Sequence, residues 1–226
     1  MLQYWKGGVL QTMNVPVWTD VLAALAVGLP AAVLLLAAMT LYGALLDAIR
    51  NRIGSFAGGW THRLTFFGVI HHELSHLLLA FVLGAKITSV CLFRWSPAQD
   101  GSIGQIRYVP RGTKLMQAMQ VALSSAGPLL LGTLDLYLAV RYLHPLVTWP
   151  WLALLLYLEI SVLLHMSLSR QDVKNILSRA GWVILVLTVV LGAICYLNKE
   201  AVLALPYAGD LWQKVVSVLQ STFGGN

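Results

Sequence analysis

Long apolar runs dominate the hydrophobic pattern of this chain, and polar positions fall between the runs or at isolated points within them. Residues 21–46 form an uncharged run, and residues 181–197 form a shorter one. Three further runs, residues 64–85, 115–140 and 147–168, each contain ionisable groups. Because about 20 mostly apolar residues cross the hydrocarbon core of a bilayer, the pattern predicts five transmembrane helices.

The longest stretch between these runs, residues 86–114, predicts a β-hairpin. Its segments KITSVCLFRW and GQIRYV are rich in β-prone residues, and the turn-rich segment SPAQDGSI separates them. We expect this hairpin to lie against the membrane face. Residues 1–18 are predicted to be interfacial and lack the apolar core of a cleavable signal peptide. Residues 211–219 predict an amphipathic helix on the bilayer surface.

Composition agrees with a membrane location. The chain of 226 residues is 58% hydrophobic and 11% charged, whereas soluble domains are roughly 45–50% apolar and 25% charged. We therefore predict an all-α polytopic membrane protein of the cell membrane, with about five transmembrane helices and a small membrane-associated β-hairpin. No repeat or long linker divides the sequence, so residues 1–226 are expected to form one membrane-embedded domain with its core at residues 64–176.

Charge predicts the partners and the orientation of the chain. The formal net charge is +6, but the basic residues are scattered among the loops. Contact with anionic lipid headgroups explains them better than binding to nucleic acid, which we do not expect. Nine Lys and Arg residues fall on one side of the predicted spans and six on the other. The positive-inside rule therefore places the N-terminus inside and the C-terminus outside.

One predicted span carries the pattern H-E-x-x-H, from His72 and Glu73 to His76. Histidines four residues apart share one face of a helix, so both can bind one Zn²⁺ while the glutamate faces the same site. Zinc activates water for attack on a carbonyl, and the carboxylate accepts the proton. Ionisable groups inside a span are costly and usually functional. The motif predicts zinc ligands His72 and His76 and a catalytic base, Glu73, whereas His71 fits a structural role.

A third zinc ligand is expected, because catalytic zinc usually takes three protein ligands and one water. The candidates in the other predicted spans and loops are Asp135, Glu159, His165 and Asp172. Asp135 lies near the outer end of its span, at a depth that differs from that of the histidines by roughly 10 Å. Glu159 could instead hydrogen-bond a ligating imidazole. The residues alone leave this choice open.

Residues 69–176 resemble the site-2 protease family of intramembrane zinc metalloproteases. VIHHELSHLLLAFVLGAKI resembles the first core helix of the family, and SSAGPLLLGTLDLYL resembles the start of the second. EISVLLHMSLSRQDVKNIL resembles the third core segment, in which the family has N-x-x-P followed by L-D-G with the Asp as a zinc ligand. The resemblance gives this role to Asp172.

The third core segment departs from the family pattern at three positions. Leu164 and Ser167 stand where the family has Asn and Pro, and Val173 stands where it has Gly. Leu131 occupies the position of the Asn that often follows A-G-P. No substrate-stabilising Asn is therefore assigned.

The resemblance implies a zinc-dependent endopeptidase that cleaves a membrane-embedded protein substrate near the cytoplasmic face. It also implies that the hairpin pairs with an unwound substrate segment, since a strand added to a sheet edge exposes its peptide bonds. The altered third segment favours an alternative, a non-proteolytic membrane protein that keeps the fold as a binding, chaperone-like or transport-associated subunit. Glu73 opposes this alternative, because a purely structural zinc site needs no base.

Overall fold

A computed structural model describes residues 2–6, 9–13, 17–57, 61–99 and 102–223, and this part of the chain is mostly helical. The predicted helical class and an antiparallel hairpin within residues 86–109 are confirmed, and a second antiparallel pair, within residues 2–13, was not predicted. In chain order the elements are β1 (Leu2–Lys6), β2 (Val9–Met13), α1 (Val17–Ala57), α2 (Thr61–Leu64), α3 (Phe66–Val82), β3 (Lys86–Cys91), β4 (Gln105–Val109), α4 (Lys114–Leu138), a π-helical turn (Ala139–Leu143), α5 (Trp149–His165), α6 (Arg170–Ser178), α7 (Ala180–Leu197), α8 (Lys199–Leu203) and α9 (Pro206–Phe223).

Several described helices are long and apolar enough to cross a membrane. Three qualify alone, Val17–Ile53, Lys114–Leu143 and Ala180–Leu197, and α5 with α6 makes a fourth if this pair, bent by 58°, is one span. Helix α3 is apolar but has 17 residues, or roughly 25 Å of length against about 30 Å of hydrocarbon. Crossing by all five predicted segments therefore stays a prediction.

The motif helix α3 exposes large apolar side chains and buries small ones. Leu74, Leu78 and Phe81 are exposed and share one face, whereas Gly68 and Ser75 are buried. Small residues at helix contacts and large apolar residues outside are typical of helices in lipid.

The chain divides into two compact units, and the first consists of Met1–Ala37 with Ile184–Asn226. Its core includes the fully buried Trp212 of α9. Residues 211–219, predicted to be helical, lie within α9. The location of this helix on a bilayer surface stays a prediction. The core residues are Ala23, Ala24, Val27, Val202, Trp212 and Val216.

The second unit, Ala38–Val183, holds α3 against α4 and α5 through two glycines. A Cβ atom at Gly127 of α4 would lie 2.8 Å from the backbone oxygen of Ser75. One at Gly68 of α3 would lie 1.9 Å from the backbone oxygen of Ser161 on α5. Both contacts need glycine, and they bring the backbones of the neighbouring helices directly against the motif helix.

Between α5 and α6 the chain leaves the helical path at residues 166–169. Met166, Ser167 and Leu168 are almost fully buried, and the Leu168 amide donates to the Gly43 carbonyl of α1 at 3.4 Å. Such irregular backbone is tolerated at membrane depth where protein covers it. The break turns the chain by 58°, and α6 lies beside α4, where the Asn175 amide donates to the Ser125 hydroxyl.

Candidate metal centre

The structure brings together one of the predicted ligand sets. The Nε2 atoms of His72 and His76 are 3.1 Å apart, and the His76 Nε2 atom is 3.7 Å from the Asp172 Oδ1 atom. Ligand atoms of the three residues all lie within 4.8 Å of one another, so the group could hold a metal ion. Asp172 thus lies beside both motif histidines.

Hydrogen bonds fix the tautomer of both histidines. The Nδ1–H of His72 donates to the backbone carbonyl of His165 at 2.6 Å, and that of His76 donates to the carbonyl of Ser124 at 2.7 Å. Since a carbonyl oxygen only accepts, each neutral imidazole keeps a lone pair on Nε2. The two lone pairs face each other and suit a shared cation. Nitrogens bound to one tetrahedral zinc would lie roughly 3.3 Å apart, so the spacing fits.

The sequence explains why these two carbonyls are available. Ser124 lies four residues before Pro128, which has no N–H to donate to it within α4. His165 is the last residue of α5, where carbonyl groups have no partner within the helix. Each of these carbonyls accepts from one of the two motif histidines, an arrangement that commonly orients metal ligands.

A capping box at the start of α6 orients Asp172. The amide and hydroxyl of Ser169 donate to the Asp172 Oδ2 atom at 3.0 and 2.6 Å, and the Asp172 amide donates to the Ser169 hydroxyl at 3.1 Å. These bonds leave Oδ1 directed toward His76. The spacing S-x-x-D is a known signal for a helix start, so this orientation had a detectable signal in the sequence.

The proposed base, Glu73, lies on the same helix face and contacts the hairpin region. A Cβ atom on Gly104, just before β4, would lie 2.5 Å from the Glu73 Cγ atom. Only glycine therefore fits at position 104 without displacing Glu73. The sequence predicted the hairpin but gave no sign that it covers the base.

The rival ligand candidates have other partners. Asp135 lies 2.7 Å from the Nε2 atom of His71, and Glu159 lies 2.8 Å from the Nε2 atom of His144. His165 serves the site through its backbone carbonyl, while its Nδ1–H donates to the Ser161 carbonyl at 3.1 Å. The pairing of His71 with Asp135 agrees with the structural role expected for that histidine.

Tyr108 of β4 is a candidate that no sequence motif indicated. Its side chain is partly buried. Burial raises the pKa of the Tyr108 phenol, and the Asp172 carboxylate adds to that increase. Alternation along the hairpin strand could have placed Tyr108 on the face of Ile106, but could not have shown that Asp172 affects its pKa.

Comparison with known proteins gives no relative. No protein-family model, no curated protein and no solved structure matches the chain. Membership of the site-2 protease family therefore stays a prediction from the sequence motifs.

Proposed function

We propose that the protein is a zinc-dependent intramembrane endopeptidase that cleaves a membrane-embedded protein substrate near the cytoplasmic face. His72, His76 and Asp172 would hold the zinc ion, and Glu73 would act as general base. One observation carries the proposal: two tautomer-fixed Nε2 lone pairs face each other 3.1 Å apart, with the Asp172 carboxylate beside them.

Zinc is favoured among divalent metals because two imidazoles and one carboxylate form a common catalytic zinc set with a fourth position left for water. Bound there, the ion would act as a Lewis acid toward the water and the substrate carbonyl. Glu73 would accept the proton of the attacking water and later transfer it to the leaving amine nitrogen. A site with a purely structural metal would have no use for this carboxylate.

The position of the hairpin supports a peptide substrate. Strand β4 pairs with β3 alone among the described strands, so its other edge has no strand partner there. The close contact between Gly104, just before this strand, and the proposed base Glu73 supports the same reading. A substrate that unwinds and adds to the sheet edge would present its peptide bonds next to the ligands.

The alternative, from a different class, is a non-proteolytic membrane protein that uses the same fold as a binding, chaperone-like or transport-associated subunit. The departures at Leu164, Ser167 and Val173 from the family pattern favour it. Ser167 is also fully buried in the break after α5. Such a subunit could keep the metal and would not need Glu73.

Glu73→Gln separates the two functions. We expect purified Glu73→Gln protein in lipid nanodiscs to keep its zinc and its helical content. We also expect it to lose cleavage of a test transmembrane peptide by about 10²–10⁴-fold or more, because the amide cannot accept a proton. Zinc content, circular dichroism and mass spectrometry of the products measure the three quantities.

Glu159→Gln is the matched control, because Glu159 pairs with His144 instead of the metal group. It should leave cleavage unchanged, whereas a chelator should abolish cleavage by the parent protein. Cleavage by Glu73→Gln at the parent rate, or none by the zinc-loaded parent on any of a panel of transmembrane peptides, would count against proteolysis.

A further inference from the structure

Three aromatic side chains form a cluster between the beginning of α3 and the segment that follows β3. The ring centroids of Phe93 and Trp95 are 5.1 Å apart, and the Phe66 ring lies 5.9 Å from Phe93 and 6.4 Å from Trp95. Aromatic rings attract one another at centroid distances of about 4.5–7 Å. The three rings, which we call the aromatic cluster, therefore hold one another in a fixed arrangement.

The aromatic cluster leaves much of its apolar surface uncovered. Trp95 is 66% exposed and Phe66 is 37% exposed, whereas Phe93 is partly buried and contacts both of them. An apolar side chain that docks on these rings would contact groups that are already ordered, so binding costs little conformational entropy on the protein side.

Two separate contacts place the aromatic cluster beside the proposed base. Along α3, Phe66 and Glu73 are seven residues apart, a spacing that puts both on one helix face with roughly 10 Å between them. From the hairpin side, a Cβ atom on Gly104 would lie 2.5 Å from the Glu73 Cγ atom and 2.9 Å from the carbonyl oxygen of Leu92, the residue before Phe93. The cluster and the base therefore lie along one continuous surface.

The hairpin reaches the cluster by running back along α3. Helix α3 ends at Val82 and β3 begins at Lys86, so the hairpin starts at the far end of the helix from Phe66. Phe93 and Trp95 nevertheless contact Phe66, the first residue of α3. A substrate segment that follows the hairpin would therefore pass both the proposed base and the aromatic cluster.

We propose that the aromatic cluster is a substrate subsite that binds a large apolar side chain, aromatic or aliphatic, about three residues from the cleaved bond. The inference rests on the proposed proteolytic function and deepens it. An extended chain advances about 3.3 Å per residue, so the roughly 10 Å between Glu73 and Phe66 correspond to this spacing. By fixing one side chain, the subsite sets which peptide bond of an apolar segment reaches the base.

An acidic substrate side chain is the rival occupant, because Arg94 stands between Phe93 and Trp95 in the chain. The Nε–H of Arg94 donates to the sulfur of Cys91 at 3.1 Å. This bond turns the guanidinium back toward the end of β3, so the rings remain the nearest partners for a side chain that docks on the cluster.

A series of transmembrane peptides tests the inference. In a peptide that the parent protein cleaves, each of the four residues on either side of the cleaved bond is replaced in turn by Phe, Leu, Asp or Ala. With zinc-loaded protein in nanodiscs, we expect Phe and Leu to exceed Ala and Asp by about 10-fold in kcat/KM at one position about three residues from the bond. Partial burial of a large apolar side chain supplies a factor of this size.

Trp95→Ala removes the most exposed ring of the cluster. It should reduce the preference for Phe over Ala from about 10-fold to about twofold or less, while cleavage of the Ala peptide and the zinc content stay at parent values. Trp151→Ala is the matched control and should keep the preference. Trp151 is 65% exposed and lies roughly 21 Å along α5 from His165, whose carbonyl meets His72.

The outcomes separate the two proposals. A parent protein that cleaves no peptide rejects the proteolytic function, and the subsite with it. A cleaving parent without a preference for large apolar residues at that distance, or with a preference for Asp, rejects only the subsite. Equal losses for the Phe and Ala peptides in Trp95→Ala would make the cluster a support of the hairpin or a contact with lipid, and would also overturn the inference. The peptide series on the parent protein decides the matter even if Trp95→Ala is unstable.

Discussion

His71 and His72 are neighbours in the chain, yet α3 gives them different partners. His71 turns its Nε2 atom to the Asp135 carboxylate at 2.7 Å, and Asp135 is half exposed. His72 gives its Nδ1 proton to the His165 carbonyl and directs Nε2 toward His76. Successive helical residues point about 100° apart, so one histidine meets a lone carboxylate and the other meets a second imidazole.

The difference lies in the company of each histidine. In the pairs His71–Asp135 and His144–Glu159 one carboxylate lies against Nε2, and among the described residues neither pair belongs to a group of three or more possible ligand side chains. In His72 and His76 a backbone carbonyl accepts from Nδ1–H, so both Nε2 atoms keep a lone pair beside the Asp172 carboxylate. Position within a hydrophobic span therefore does not separate the two kinds of site, whereas the number of converging ligand atoms does.

The largest expected effect is the loss of zinc when both motif histidines are replaced. Parent protein should contain about one zinc per chain, and the double variant His72→Ala with His76→Ala should lose it, because two of three protein ligands are gone. The matched double variant His71→Ala with His144→Ala should keep its zinc. Elemental analysis of purified protein measures both, and full zinc retention without His72 and His76 would refute the metal assignment.

A smaller effect on zinc affinity is expected when each of three carboxylates is replaced in turn. Asp172→Ala should weaken zinc binding by more than the roughly 10–100-fold typical of outer partners, because a direct ligand is removed. Asp135→Ala and Glu159→Ala should bind zinc like the parent, since their carboxylates pair with His71 and His144. Competition with a chelating dye gives the affinities. A reversed order would show that the third ligand was assigned wrongly.

The smallest effect concerns the residue that orients Asp172. Ser169→Ala removes one donor to the carboxylate, so zinc affinity should fall by about 10–100-fold and stability by about 1 kcal/mol through loss of the helix cap. Thr113→Ala is the control, since Thr113 caps α4 by accepting from the Met116 amide. It should cost similar stability without a change in zinc affinity. Equal zinc affinities in the two variants would contradict a role for Ser169 at the metal group.

Much of the candidate site could be predicted locally. The spacing of His72, Glu73 and His76 places them on one helix face by geometry alone, and the hairpin followed from β-prone runs around a turn-rich segment. The distant contacts could not be predicted this way. Nothing in the segment around Gly104 indicates that it must fit against Glu73, since that depends on how the hairpin returns over α3.

The sequence by itself determined the apolar helices, the hairpin and the paired histidines, because each of these features depends on residues that are close to one another along the chain. The third ligand needed the tertiary structure. Asp135, Glu159, His165 and Asp172 were all chemically suitable, and the buried break after α5 together with the Ser169 cap brought Asp172 to His76. The roles of Pro128 and of the end of α5 also depend on the tertiary structure. A carbonyl without a partner in its own helix can orient a histidine only when packing brings the two groups together.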